Sequence, residues 1–78
     1  MSGITTLDRA PLQARLSVHE AAGAPGTARR MAALGLRRGT QLVLLQATAG
    51  GGRLACVGGS RIALGAGVLR HLRVEVLG

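Results

Sequence analysis

Two pairs of arginines lie on either side of a short apolar stretch in the segment RRMAALGLRRGT, which runs from Arg29 to Thr40. Guanidinium groups bind carboxylates and phosphates through paired hydrogen bonds, so four of them on one surface would bind acidic groups of a partner. The first pair falls near the start of a predicted helix, where the helix dipole disfavours positive charge. Residues that are unfavourable for the local structure often have a function, so we predict a partner-binding site made of Arg29, Arg30, Arg37 and Arg38. The alternative is that these arginines are solvated surface charges.

Few side chains in the sequence could bind a metal ion. They are Asp8, His19, Glu20, Cys56, His71 and Glu75, and none falls at the spacing of a two-cysteine or two-histidine motif. His19 and Glu20 are adjacent at the end of a predicted strand, and His71 and Glu75 are predicted to share one side of the closing strand. Either pair could hold a divalent metal such as zinc weakly, with another copy of the protein completing the ligand set. The alternative is that all four are ordinary exposed polar residues.

The same small inventory argues against an enzyme. Two histidines, one cysteine and three carboxylates are too few and too scattered to supply a general base and a group that orients it. Cys56 alternates with Leu54 in a short strand, which favours a small buried apolar residue over a nucleophile. We therefore predict a protein without catalytic residues and without a required cofactor.

Five short strands can be assigned from alternating or continuous apolar residues. They cover residues 12–18, 41–47, 53–57, 60–64 and 72–76. The second of them is almost wholly apolar, so we expect it to be central or buried on both faces. Gly39 fits a turn before that strand, and Gly58 and Gly59 fit the two-residue turn of a hairpin. Residues 65–69 are predicted to form a turn or a single 3₁₀ turn.

One short helix is predicted between the first two strands. Thr27 can act as its N-cap, and the helical pattern runs to Leu34. A helix of two turns is not stable alone in water, so Met31 and Leu34 are expected to pack on the strands. Gly35 fits the left-handed position that ends a helix, and Leu36 can then fold back onto Met31.

Length and composition restrict the class of protein. The 78 residues predict a single domain, with residues 1–10 flexible or loosely attached, and the 13 glycines indicate many tight turns between short strands. The absence of Phe, Tyr and Trp means that the core must be built from aliphatic residues and methionine. No apolar run is long enough for a signal peptide or a membrane span, and one cysteine excludes an internal disulfide, so we expect a cytoplasmic protein.

Charge indicates the kind of partner. Ten arginines against three acidic residues give a net charge of +7, which predicts attraction to an acidic protein face, a nucleic acid or anionic lipid. Proteins that bind single-stranded nucleic acid stack bases on aromatic side chains, and this sequence has none. An acidic protein is therefore the favoured partner, and no nucleic acid is expected.

Three segments in this order resemble the FeoA family, small cytoplasmic proteins of bacterial ferrous iron uptake. They are RRMAALGLRRGTQL (29–42), GGSRIALG (58–65) and VLRHLRVEV (68–76), so the resemblance covers roughly residues 27–76. Arg38 stands where the family usually has proline, so Gly39 alone must shape the turn there. The resemblance implies a mainly β fold, a small SH3-like β-barrel of about five strands with one or two short helices.

The resemblance also implies a function. A FeoA-like protein would be an accessory or regulatory protein of ferrous iron uptake that docks on the cytoplasmic, G-protein-containing part of the FeoB transporter. It would be peripheral to the membrane through that partner, and assembly into oligomers stays open. The alternatives are a basic nucleic-acid-binding SH3-like module and a weak transition-metal-binding protein, which the ligand inventory does not support.

Overall fold

A computed structural model describes residues 3–21 and 26–78 and shows one antiparallel sheet with two short helices. The strands are β1 (Ile4–Thr6), β2 (Arg15–Ala21), β3 (Gln41–Ala47), β4 (Arg53–Val57), β5 (Ser60–Leu64) and β6 (Leu72–Val76), in the spatial order β1-β6-β2-β3-β4-β5. The helices are α1 (Thr27–Ala33) and α2 (Ala66–His71), and single 3₁₀ turns lie at Leu7–Arg9 and Ala49–Gly51. No helix within the described ranges is both long and apolar enough to cross a membrane.

The N-terminal segment is part of the sheet, so the prediction that residues 1–10 are loosely attached is wrong for residues 3–10. Strand β1 pairs with β6, Ile4 opposite Glu75, and the following Leu7 is fully buried. The amide of Val76 also donates a hydrogen bond to the carbonyl of Gly3 at 2.9 Å. Three residues are too short a run to show an alternating pattern, which is why the sequence predicts five strands and the structure has six.

Strand β2 is displaced toward the C-terminus relative to its prediction. It begins at Arg15, because Gln13 has a φ of +66° that interrupts extended backbone, and the preceding Leu12 is 44% exposed. The strand continues to Ala21, with a register shift between Val18 and Glu20. His19 and Glu20 therefore lie within β2, at an irregularity that increases the local bend of the strand.

The core lies on one face of the sheet. It is built entirely from aliphatic residues and one methionine, and its fully buried members are Leu7, Leu16, Leu44, Ala55, Leu69, Leu72 and Val74. Both β2 and β3 carry register shifts of the bulge type, which bend a sheet and allow its strands to surround one core. Strand β3 is central, as the sequence predicts, but only Leu42 and Leu44 on one of its faces are buried.

Both helices begin after a glycine. Gly26 occupies the N-cap position of α1 with a φ of +97°, and Thr27 is the first helical residue, so the prediction that Thr27 is the N-cap is wrong. Gly65 occupies the N-cap position of α2 in extended backbone. The predicted turn at residues 65–69 is instead the start of this helix, which the fully buried Leu69 attaches to the core.

The end of α1 is closed by a Schellman motif. Gly35 has a φ of +84°, the left-handed conformation expected of it. Its amide donates to the carbonyl of Ala32 at 2.9 Å, and the amide of Leu36 donates to the carbonyl of Met31 at 2.8 Å. Those two hydrogen bonds define the motif, and the burial of Leu36 and Met31 at 2% exposure each adds its apolar contact.

The hairpin of β4 and β5 turns at Gly58 and Gly59, whose φ values of +56° and +82° suit a two-residue hairpin turn. Ala55 is the fully buried residue of β4. Because adjacent side chains of a strand point to opposite faces, Cys56 lies on the face away from the core. It is half-buried there, opposite Arg61, so the prediction of a buried cysteine is wrong.

Candidate partner-binding site

Helix α1 forms a wall of two surface grooves. The larger, which we call the helix groove, has a volume of ≈ 640 Å³ and lies between α1 and α2; its lining is Thr27, Arg30, Met31, Ala33, Leu34, Gly65, Gly67, Val68 and His71. The smaller, the sheet groove, has a volume of ≈ 320 Å³ and lies between α1 and β2; its lining is Val18, His19, Glu20, Ala21, Ala28, Ala32, Leu36, Arg37 and Arg38.

The helical period explains how one short helix serves both grooves. Positions three, four and seven apart share a face, which places Arg30 and Leu34 on the side of Thr27 that faces α2. Ala28 and Ala32 are four residues apart and fall on the other flank, toward β2. The buried Met31 lies between the two flanks and attaches the helix to the core.

The helix groove has apolar walls and a polar rim. Leu34 contributes a side chain that is 44% exposed, and Val68 of α2 is half-buried opposite it. Arg30 on α1 and His71 on α2 are exposed polar residues of the same groove. The sequence prediction that Leu34 packs on the strands is wrong, because the side chain faces α2, an element that the sequence analysis treats as a turn.

His71 is held in a defined orientation. Its Nδ1 lies 2.9 Å from the carbonyl oxygen of Gly67, one helical turn earlier. A carbonyl oxygen only accepts hydrogen bonds, so Nδ1 carries the proton. In the neutral imidazole, Nε2 is then free to accept a hydrogen bond from a ligand.

The four predicted partner-binding arginines are all exposed, but they do not form one cluster. Arg30 lines the helix groove, whereas Arg37 and Arg38 line the sheet groove. Arg29 is two residues from Met31, about 200° around the helix, and points away from the core between the grooves. Within the described ranges the only ion pair joins two other residues, so all four guanidinium groups are without a carboxylate partner there.

That ion pair lies beside the sheet groove. Arg73 Nη1 is 3.2 Å from Glu20 Oε1, and the two residues are opposite each other on β6 and β2. The carboxylate of Glu20 in the sheet groove therefore already has an ion-pair partner. Arg37 begins a tight turn in which the Gly39 amide donates to the carbonyl of Val18 at 2.8 Å, with a φ of +88° at the glycine. This turn holds the second arginine pair against β2.

The predicted metal ligands do not come together in one group within the described part of a single chain. His71 ends α2 while Glu75 lies in β6, so the prediction that they share one side of the closing strand is wrong. His19 is adjacent to Glu20, whose carboxylate is bound by Arg73. Across residues 3–21 and 26–78, no three or more His, Cys, Asp or Glu side chains are grouped closely enough to hold a metal ion.

The apolar part of the site is not evident from the sequence. Val68 does not stand out, because α2 has only six residues, with Gly65 before it and Gly67 in its first turn, and this gives a weak helical signal. The sequence does contain one indication of this helix. The apolar Val68 and Leu69 are followed by the polar His71 within four residues, which is compatible with one turn of an amphipathic helix. Only the position of α2 across the groove from α1 shows that the exposed Leu34 faces it.

The model of the FeoA domain matches residues 5–76. No curated protein matches the sequence. The structure is similar to FeoA of Stenotrophomonas maltophilia, described as a prokaryotic SH3 domain protein, with 27% identity, a TM-score of 0.73, and coverage of 90% of this chain and 88% of that one.

Two further structures share the fold at lower identity. A FeoA-like protein of Clostridium acetobutylicum is 19% identical with a TM-score of 0.86, and the match covers 100% of this chain and 92% of that one. A manganese-dependent transcriptional repressor is 18% identical with a TM-score of 0.83, and the match covers 99% of this chain but 44% of the repressor. The prediction of a mainly β, SH3-like fold is confirmed. Because the family model spans nearly all of the sequence, the chain belongs to the FeoA family.

Proposed function

We propose that this protein is an accessory or regulatory protein of bacterial ferrous iron uptake that docks on the cytoplasmic, G-protein-containing part of a FeoB-type transporter. The observation that carries the proposal is the FeoA domain match over residues 5–76. The similar Stenotrophomonas maltophilia protein is described as a candidate activating factor of ferrous iron transport. The protein would act in the cytoplasm, peripheral to the membrane through its partner, as a binding module without catalysis or a resident cofactor.

The surface chemistry supports an acidic partner. The net charge is +7, and Arg29, Arg30, Arg37 and Arg38 are exposed without an ion-pair partner among the described residues. Positive charge of this density raises the rate at which the protein encounters an acidic partner. This electrostatic attraction becomes weaker as salt is added. These four arginines are the proposed contacts: Arg30 lines the helix groove, Arg37 and Arg38 line the sheet groove, and Arg29 lines neither.

Nucleic-acid binding is the less favoured alternative. The fold is shared with a transcriptional repressor, but the similarity covers less than half of that protein and the identity is only 18%, so it concerns the fold alone. The sequence has no aromatic side chain on which a base could stack. A binder that used only arginine and phosphate would lose affinity steeply with salt.

The test is a calorimetric titration of the purified protein with the isolated cytoplasmic part of the FeoB transporter from the same organism, at low and high salt. We expect saturable binding that Arg30→Glu weakens about tenfold or more, since it replaces an attractive charge by a repulsive one. Arg61→Glu, on the exposed edge strand β5, is the matched control and should change binding much less. Binding of a single-stranded oligonucleotide but not of the transporter domain would contradict the proposal.

A further inference from the structure

We infer that the helix groove is a docking site for a short amphipathic helix of the partner, with apolar side chains against Leu34 and Val68 and a carboxylate at Arg30. The inference rests on the proposed function and specifies the chemistry of the partner segment. It also places the contact on one flank of α1, whereas the family assignment gives no location.

The apolar contact comes from an exposed leucine in a concave surface. Leu34 is 44% exposed and lies in a groove of ≈ 640 Å³ whose opposite wall carries the half-buried Val68. Removing such apolar surface from water is favourable, and a groove surrounds an inserted side chain on several sides. Leu12 is also 44% exposed but lines neither groove, so exposure alone does not distinguish Leu34.

The length of the groove is compatible with a short helix. Its two long walls are the helices α1 and α2, seven and six residues in length. At 1.5 Å per residue these walls are about 10 Å long, so about two turns of a third helix would span them. Recognition of this kind uses apolar anchors at positions three and four apart on the inserted helix.

The positive charge of the groove favours an acidic inserted helix. Arg30 is exposed at the groove and has no ion-pair partner within the described part of the chain. A guanidinium at the edge of an apolar groove favours a carboxylate that can accept its paired hydrogen bonds. A second copy of this protein is a poor occupant, since it has ten arginines and three acidic residues and would bring repulsive charge.

His71 favours one orientation of the inserted helix over the reverse orientation. Its Nδ1 is used by the carbonyl of Gly67, so in the neutral ring Nε2 presents an acceptor on the α2 side, opposite the donor Arg30 on the α1 side. A helix with a carboxylate on one flank and a hydroxyl or amide donor on the other satisfies both rims in one orientation only. The groove therefore selects the direction of the inserted helix as well as its apolar face.

The first experiment locates the contact. Isotope-labelled protein is titrated with the cytoplasmic part of the cognate FeoB transporter while backbone amide signals are followed, and the largest changes are expected in α1 and α2. Leu34→Gln should weaken binding about tenfold or more, and Leu12→Gln, an equally exposed leucine outside the groove, should leave the dissociation constant within about twofold. Equal effects of the two substitutions, or signal changes confined to the sheet, would overturn the inference while the proposed function survives. A complete lack of binding would instead contradict the proposed function.

The second experiment tests the charge pairing with overlapping peptides from the same transporter region. The peptide that binds is expected to carry apolar residues three or four apart and an acidic residue beside them. Replacing that acidic residue by its amide should weaken binding to the wild-type protein but have little further effect on binding to Arg30→Gln, because the pair is then already broken. Additive losses would show that Arg30 and the carboxylate do not meet, and this would overturn the assignment of the rim.

Discussion

The two grooves beside α1 differ in the apolar side chains that they expose and in whether a carboxylate is already part of the lining. In the sheet groove, Glu20 lies 3.2 Å from Arg73, and apart from the buried Val18 and Leu36 the apolar side chains of the lining are alanines. In the helix groove, Leu34 is 44% exposed and Arg30 has no ion-pair partner among the described residues. A large exposed apolar side chain beside an unpaired guanidinium gains more from a ligand than alanines beside similar charges do.

The two grooves also differ in the rigidity of the wall opposite α1. Both grooves share α1, but only the helix groove has a second helix as its other wall, and that wall is held by one fully buried residue, Leu69. The sheet groove has β2 as its wall, which is hydrogen-bonded on both sides to β3 and β6. The helix groove should therefore be the less rigid of the two, since its far wall has fewer backbone hydrogen bonds to the rest of the fold.

The largest effect is expected from removing the anchor of that wall. Leu69→Ala deletes a completely buried side chain and leaves a cavity, so the free energy of unfolding should fall by about 2–5 kcal/mol, measured by urea denaturation. Val68→Ala is the matched control on the same helix; it is only half-buried and should lower the stability much less. If the two substitutions were equally mild, α2 would not depend on Leu69, and the helix groove would be held by other contacts.

A smaller effect is expected at the end of the helix that the grooves share. Gly35→Ala places a side chain at a φ of +84°, where the space is open but the conformation is disfavoured, so we expect a loss of stability of about 1 kcal/mol. Gly67→Ala is the control, because that glycine also has open space where a Cβ would lie but is a residue of α2 without a positive φ. Thermal unfolding of both variants should show a clear decrease only for Gly35→Ala. Similar decreases for both would mean that conformation at the end of α1 is not the cause.

The strands and the glycine turns were largely predictable because their signals are local. The alternation of residues, the hairpin glycines 58 and 59, and Gly35 each determine their backbone within a few positions. The first strand could not be predicted, since Ile4–Thr6 is ordered by pairing with β6 at the opposite end of the chain. The same holds for Gln13, whose positive φ is supported by hydrogen bonds to the carbonyls of Leu44 and Leu45.

The candidate site was predictable only in its charges. Arg30 and its neighbours are conspicuous in the sequence, but their division between two grooves depends on where α1 lies relative to α2 and β2. The helix groove is a tertiary feature, formed by residues more than thirty positions apart, and neither Leu34 nor Val68 is unusual by itself. The predicted pairing of His71 with Glu75 depended on both lying in the closing strand, but His71 ends α2 and only Glu75 lies in β6.

The smallest effect is expected from the ion pair beside the sheet groove. Glu20→Gln removes the carboxylate that Arg73 binds, but both side chains are about half exposed, so the loss of stability should be only about 0–1 kcal/mol and should shrink with salt. Glu75→Gln is the control, since Glu75 forms no ion pair with a described residue. Binding of the transporter domain should be unchanged by either substitution if the partner uses the helix groove. Tighter binding to Glu20→Gln would instead show that freeing Arg73 and the arginines of the sheet groove creates affinity, and the partner surface would then lie on the other flank of α1.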